Sequence, residues 1–134
     1  MSRFSAAALS ALALVGLGCT GGANSQDAPA APEAVAADPQ HYSVQFENDV
    51  IRVLRIAYGP GETSVMHRHP ANCAIFITAT TGTFALPNGE TVAASGTPGQ
   101  VQCGDAEVHL PTNTGDAPFQ VIVVELKGRA AFSQ

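Results

Sequence analysis

From residue 41 onward the sequence predicts an all-β domain, a sandwich or a barrel. Three observations carry this. Short runs of strand-forming residues follow one another with no room for helices between them. Turn signals separate the runs, in a chain of 134 residues that holds 13 glycines and nine prolines. No convincing amphipathic helix follows residue 40.

The elements come in order. His41–Glu47 reads as a first strand, ended by Asn48-Asp49. Val50–Ala57 is a second, before the turn Gly59-Pro60-Gly61. Thr63–His69 is a third, stopped by Pro70. Ala74–Ala79 is apolar enough for a buried strand. Thr81-Gly82 turns into Thr83–Leu86. Pro87-Asn88-Gly89 contains Asn-Gly, the strongest short hairpin signal, and Glu90–Ala94 returns. Gly96–Gly99 is a loop. Gln100–Cys103 and Glu107–Leu110 are short strands around Gly104-Asp105, and Asn113–Asp116 is a turn. Phe119–Leu126 is the clearest strand, rich in β-branched residues.

The part before residue 41 reads differently. Arg3 and the apolar run Ala6–Leu17 resemble a secretory signal peptide over residues 1–18, because the run is too short to span a bilayer as a helix. Val15–Gly22 resembles a bacterial lipobox around Cys19, although Gly16 stands where leucine is usual. Lipidation of Cys19 would anchor the chain without a membrane-spanning helix. Ordinary cleavage near Ala23 would leave a soluble periplasmic protein. The expected location is the periplasm or, with Thr20 after the cysteine, the outer membrane as a lipoprotein. Residues 19–40, small and poor in large apolar groups, read as a disordered tether. The domain proper is expected over residues 41–130. The net charge of −5 argues against a nucleic-acid partner, which calls for a basic face. The partners expected are a small-molecule ligand, a membrane reached through the lipid alone, and a second copy of the chain in a homodimer.

The chemistry gathers at His67-x-His69. Residues i and i+2 of a strand share a face, so this pair aims two imidazoles at one point. His109, on a later strand, is a third candidate. Neutral imidazoles suit iron, zinc, manganese, nickel or copper as divalent ions. A three-nitrogen set leaves coordination positions open, as a catalytic metal needs.

Gly61-(x5)-His67-x-His69 resembles the opening of the first motif of the cupin family, and His109-Leu-Pro-Thr-Asn113 resembles the end of the second. The resemblance covers about residues 44–127. It is most marked toward a bacterial subgroup named after β-alanine degradation, a label that does not fix the substrate. It implies a cupin jelly-roll barrel with a divalent metal inside. There are two departures. The glutamate expected four or five residues after the second histidine is replaced by Cys73 and Ala74, and no glycine stands at position 106. Asn113 is expected to close the turn after the His109 strand.

Two residues are candidates to complete the set. Glu107, at i−2 from His109, faces inward if the strand is continuous and faces water if it lies in a surface turn. Cys73 could ligate as a thiolate, remain a free thiol, or pair with Cys103. The jelly roll implied by the resemblance places those two cysteines on adjacent strands. A cysteine here also resembles that of thiol dioxygenases, whose cysteine is cross-linked to a tyrosine, but no tyrosine follows Tyr58. His41 is expected to sit uninvolved at the domain edge and Arg68 to face outward. Arg52 and Arg55 are expected at the surface, with binding of a substrate carboxylate as the alternative. The pocket is expected from Val65, Ile75 or Phe76, Phe84 and alternate residues of Val121–Val124. The expected function is a metal-dependent oxygenase acting on a small organic molecule. A module that binds a metal or ligand without turnover is the alternative.

Overall fold

The computed structural model describes residues 30–132. The expected signal peptide, Cys19 and the first part of the tether lie outside the described residues. Nine strands follow one short helix, α1 (Ala34–Ala37): β1 (Tyr42–Glu47), β2 (Ile51–Tyr58), β3 (His67–His69), β4 (Asn72–Phe76), β5 (Thr80–Ala85), β6 (Thr91–Gly96), β7 (Val101–Gly104), β8 (Glu107–Asn113) and β9 (Phe119–Leu126).

They form two antiparallel sheets, in the orders β1-β2-β9-β4-β7 and β3-β8-β5-β6. Only β1/β2 and β5/β6 are hairpin neighbours. The remaining pairs join strands distant in sequence, the wiring of a jelly roll. The core fills the space between the sheets. β9 shows why. Its residues alternate strictly, with Phe119, Val121, Val123 and Glu125 buried and the residues between them half-exposed, as the period of two requires. Leu54 and Ile56 of β2 and Phe76 of β4 meet that face. Full burial of a side chain such as Leu54 stabilises the fold by about 1.5–3 kcal/mol.

Each predicted strand exists, with shifted bounds. The histidine strand shrinks to three residues, and Thr63 makes only an isolated bridge to Thr112. β5 begins at Thr80, so Thr81-Gly82 lies inside a strand instead of in a turn. Gly82 is there for closeness, because a Cβ at that position would strike the Thr112 carbonyl oxygen of β8. Asn88-Gly89 does turn the β5–β6 hairpin, with Gly89 at φ 87°.

The largest correction is at the N-terminal boundary. Residues 32–40, expected to be tether, are packed against the barrel. Ala34 is wholly buried in the core and Val35 packs against it. The Arg68 N–H donates to the Pro32 carbonyl at 2.9 Å. The sequence hides this because alanine contributes burial without an apolar signature, and a single short turn has no period to read.

Cys73 and Cys103 stand directly opposite each other on β4 and β7 and form a disulfide. Cys73 is therefore neither a thiolate ligand nor a partner for a tyrosine cross-link, since its sulfur is already bonded.

Candidate metal centre

β3 pairs antiparallel with β8 in a register that sets His67 opposite His109 and His69 opposite Glu107. The two i, i+2 pairs thus form a square of four side chains on one face of the sheet. The three histidines are buried, at 0%, 4% and 5% exposure in chain order. One nitrogen from each falls within a cluster of mutual distances up to 4.8 Å. Their rings meet edge to face, with centroids 4.9–5.3 Å apart.

The hydrogen bonds fix which nitrogen is free. His67 Nδ1 lies 2.7 Å from the Val65 carbonyl oxygen, which can only accept, so that nitrogen carries the proton. His69 Nδ1 lies 2.7 Å from Glu125 Oε1. Burial disfavours the Glu125 carboxylate, but hydrogen bonds from His69 and Arg52 outweigh it and hold its pKa below the usual value. Glu125 is thus ionised, and His69 Nδ1 also carries its proton. In the neutral rings both Nε2 atoms then carry lone pairs, and they lie 3.1 Å apart. Two lone pairs at that distance repel unless a cation lies between them. On His67 a proton is disfavoured, because burial and the neighbouring His69 lower its pKa to about 4. His109 Nδ1 is buried with no hydrogen-bond partner, at a cost of about 1–3 kcal/mol. Glu107 Oε2 is 3.3 Å from it, within ion-pair distance. The three convergent imidazole nitrogens fit a divalent metal ion.

Around the three rings lies a supporting shell. His69–Glu125–Arg52 is a buried chain in which Arg52 Nε donates to Glu125 Oε2 at 2.6 Å. A carboxylate behind a ligating histidine fixes its tautomer and raises its basicity. The Tyr42 ring stands edge-on to His67, centroids 4.8 Å apart, and Phe84 stacks on His109 at 4.2 Å. Glu125 and Tyr42 went unread in the sequence. Their one signal was phase, since Glu125 follows Phe119, Val121 and Val123 at the inward interval of two.

His69 and His109 open into a cavity of about 320 Å³, lined also by Tyr42, Tyr58, Phe76, Phe84, Phe119, Val121, Val123 and Glu107 among others. No arginine or lysine is among the described residues that line it. Tyr58 Oη donates to Tyr42 Oη at 2.9 Å. Burial pushes the Tyr58 pKa up to about 12 and that of Tyr42 well above the usual value.

The other expectations resolve as follows. Glu107 begins β8 and lines the cavity, so it lies on the strand, not in a turn, while its side chain stays 42% exposed to water. Asn72 Nδ2 donates to it at 3.4 Å. Burial disfavours its charge, but His109 and Asn72 outweigh this and lower its pKa. It stays outside the three-histidine cluster. Asn113, buried, donates to the Gly59 and Ala117 carbonyls at 2.9 and 3.0 Å and accepts from Gly115 N–H, closing the turn as expected. Phe76, Phe84, Val121 and Val123 line the cavity, whereas Val65 is exposed because the chain before β3 is not a strand. Arg68 faces outward and pairs with Glu33. Arg55 pairs with Gln120 at the surface, but Arg52 is mostly buried and tied to Glu125. His41 is buried, not at an edge. It stacks on Tyr58 at 4.2 Å and donates from Nδ1 to Asp38 at 2.6 Å.

The fold is similar to that of a cupin domain from Bordetella pertussis, with a TM-score of 0.60, 24% identity, and coverage of 65% of this chain and 92% of that one. It is also similar to a protein with a double-stranded β-helix domain from Klebsiella pneumoniae (TM-score 0.54, 24% identity, 69% and 80% covered). A third similar structure is an RmlC-like cupin family protein with a double-stranded β-helix fold from Methanocaldococcus jannaschii (TM-score 0.51, 16% identity, 63% and 77% covered). These likenesses establish the cupin fold. No family model matches the chain, and no curated protein does.

Proposed function

We propose that this cupin-fold chain holds a divalent transition metal on His67, His69 and His109 and acts as a metal-dependent oxygenase on a small organic molecule. The observation that carries this is the convergence of three buried imidazoles, two of them with their Nε2 atoms 3.1 Å apart, at the wall of an apolar cavity. A redox-active ion there would supply electrons and open positions for dioxygen and substrate. The chain's own residues do the rest. Phe76, Phe119 and Val121 bury the apolar part of the molecule and exclude water. Glu107 faces the cavity as an ionised carboxylate and accepts a hydrogen bond from a substrate hydroxyl or amine. The neutral Tyr42–Tyr58 pair donates to a substrate oxygen.

The test is metal analysis of the purified protein, then oxygen uptake with Fe(II) and a panel of thiols, diketones and phenols. Iron occupancy with substrate-dependent uptake supports the enzyme. A second reading, a binding module without turnover, is favoured by the tyrosines, whose raised pKa values make them donors and poor bases near neutral pH. Bound zinc with no uptake supports it.

We also place the protein outside the cytoplasm, anchored through Cys19. The Cys73–Cys103 disulfide supports this, because such bonds persist in oxidising compartments. Palmitate labelling that disappears in Cys19→Ala is the expected result, and labelling that persists in that variant removes the anchor.

A further inference from the structure

The segment 32–41 precedes the barrel strands and is also wired to the metal centre at two points. The first path starts at Asp38. Its Oδ2 accepts from Ser64 Oγ at 2.6 Å and from His41 Nδ1 at 2.6 Å. With its proton committed to Asp38, the Ser64 oxygen presents a lone pair toward His67 Nδ1, 3.5 Å away. The second path starts at Glu33. Its carboxylate takes Arg52 Nη1 at 3.1 Å, and Arg52 Nε donates to Glu125, which holds His69 Nδ1. The exposed Glu33–Arg68 pair adds little. The segment is docked over β3 itself by the Arg68 N–H bond to Pro32 and by the wholly buried Ala34.

Both rings of β3 thus lead from Nδ1, through one or two intermediates, to a carboxylate of this segment, in His67 as a longer second contact beside its 2.7 Å bond to the Val65 carbonyl. The ring of β8, His109, has no such path. We propose that Asp38 and Glu33 are positioning residues of the metal centre, so that docking of segment 32–41 and metal binding stabilise each other. This rests on the metal-centre reading above. The physical reason is that an imidazole ligand is useful only in one tautomer and one orientation, and the group behind it sets both. Coupling between two events is reciprocal. If the docked segment orients His67 and His69 for an ion, the ion must in turn hold the segment down.

The test uses the full chain, stripped of metal and titrated with Co(II) while the visible d–d bands are recorded. The variants are Asp38→Asn, Glu33→Gln and, as a control on the distant β5–β6 hairpin, Glu90→Gln. Hydrogen exchange at the Ala37 and Asp38 amides, which close α1, is measured in the wild type with and without Co(II). Asp38→Asn is expected to weaken Co(II) binding about tenfold and to change the d–d spectrum, with a smaller loss in Glu33→Gln and none in Glu90→Gln. Co(II) is expected to slow exchange at the two amides in the wild type, a result that does not depend on any variant folding. A wild type that binds Co(II) while its amides exchange at an unchanged rate overturns the proposal and leaves the metal centre standing. So do variants that bind as tightly, with the same spectrum. A wild type that binds no Co(II) overturns both.

Discussion

Glu125 Oε1 accepts a 2.7 Å hydrogen bond from His69 Nδ1 across 56 positions of sequence, with both side chains buried. Glu125→Gln keeps the size of the side chain and an oxygen that can accept. It removes the charge that raises the basicity of His69 and leaves Arg52 without its closest anion. Metal affinity should fall about 10- to 100-fold, and the metal-free protein should lose about 3 kcal/mol of stability. Competition with a chromophoric chelator and urea unfolding measure the two effects. Unchanged affinity would sink the supporting role of Glu125.

Metal should stabilise the fold in proportion to how well it binds. Zinc or cobalt(II) at about 100 times its Kd should add about 2.7 kcal/mol, a gain that chelation reverses. His109→Ala removes one of three ligands and should abolish the rise in Tm. A rise that survives in that variant would place the ion elsewhere.

Glu107 lines the cavity and lies 3.3 Å from His109 Nδ1, but its carboxylate is not among the converging atoms of the three-histidine cluster. Glu107→Gln should therefore change metal affinity by well under the 10- to 100-fold expected at Glu125. A loss as large as that of a missing histidine would make Glu107 a ligand.

The metal-free protein should lose stability in acid. The pKa of His67 falls from 6.5 unfolded to about 4 folded, so between these values the unfolded chain binds more protons. Stability therefore rises with pH across this window, is fully present above pH 6.5, and is lost as pH falls toward 4. The contribution is about 3 kcal/mol. Urea titrations at several pH values measure it, and His67→Gln should flatten the profile. Metal affinity should fall over the same acid range, since protons compete for the same nitrogen.

The disulfide spans 30 residues between β4 and β7. Closing a loop of that length stabilises a domain by about 3 kcal/mol. Reduction, or Cys73→Ala with Cys103→Ala, should lower the unfolding midpoint accordingly without preventing metal binding, because neither sulfur belongs to the site. Loss of metal on reduction would contradict this placement.

The local patterns were legible because they are periodic or punctuated. Phe119–Leu126 reads as a strand from its β-branched run, Asn88-Gly89 as a hairpin from its turn chemistry, and His67-x-His69 as a convergent pair from the period of two. The resemblance then supplied the barrel and His109. The bounds were less legible. Gly82 looks like a turn residue, and only the approach of the Thr112 carbonyl shows that it lies within a strand. Residues 32–40 look like tether, and only the pocket that accepts Ala34 shows otherwise.

By itself the sequence determined the His67–His69 pair, because a strand forces residues two apart onto one face whatever surrounds them, and the resemblance added His109. The sequence also determined most of the apolar wall. The tertiary structure decided what those imidazoles can do. Pairing β3 with β8 in one register put Glu107 on the cavity side, and pairing β4 with β7 closed Cys73 to metal. Folding Glu125 in behind His69 fixed which of its nitrogens is free, and folding Asp38 and Glu33 in brought carboxylates behind Ser64 and Arg52. Those are contacts across tens of residues. No local period encodes them, since they exist only once two distant strands share an edge.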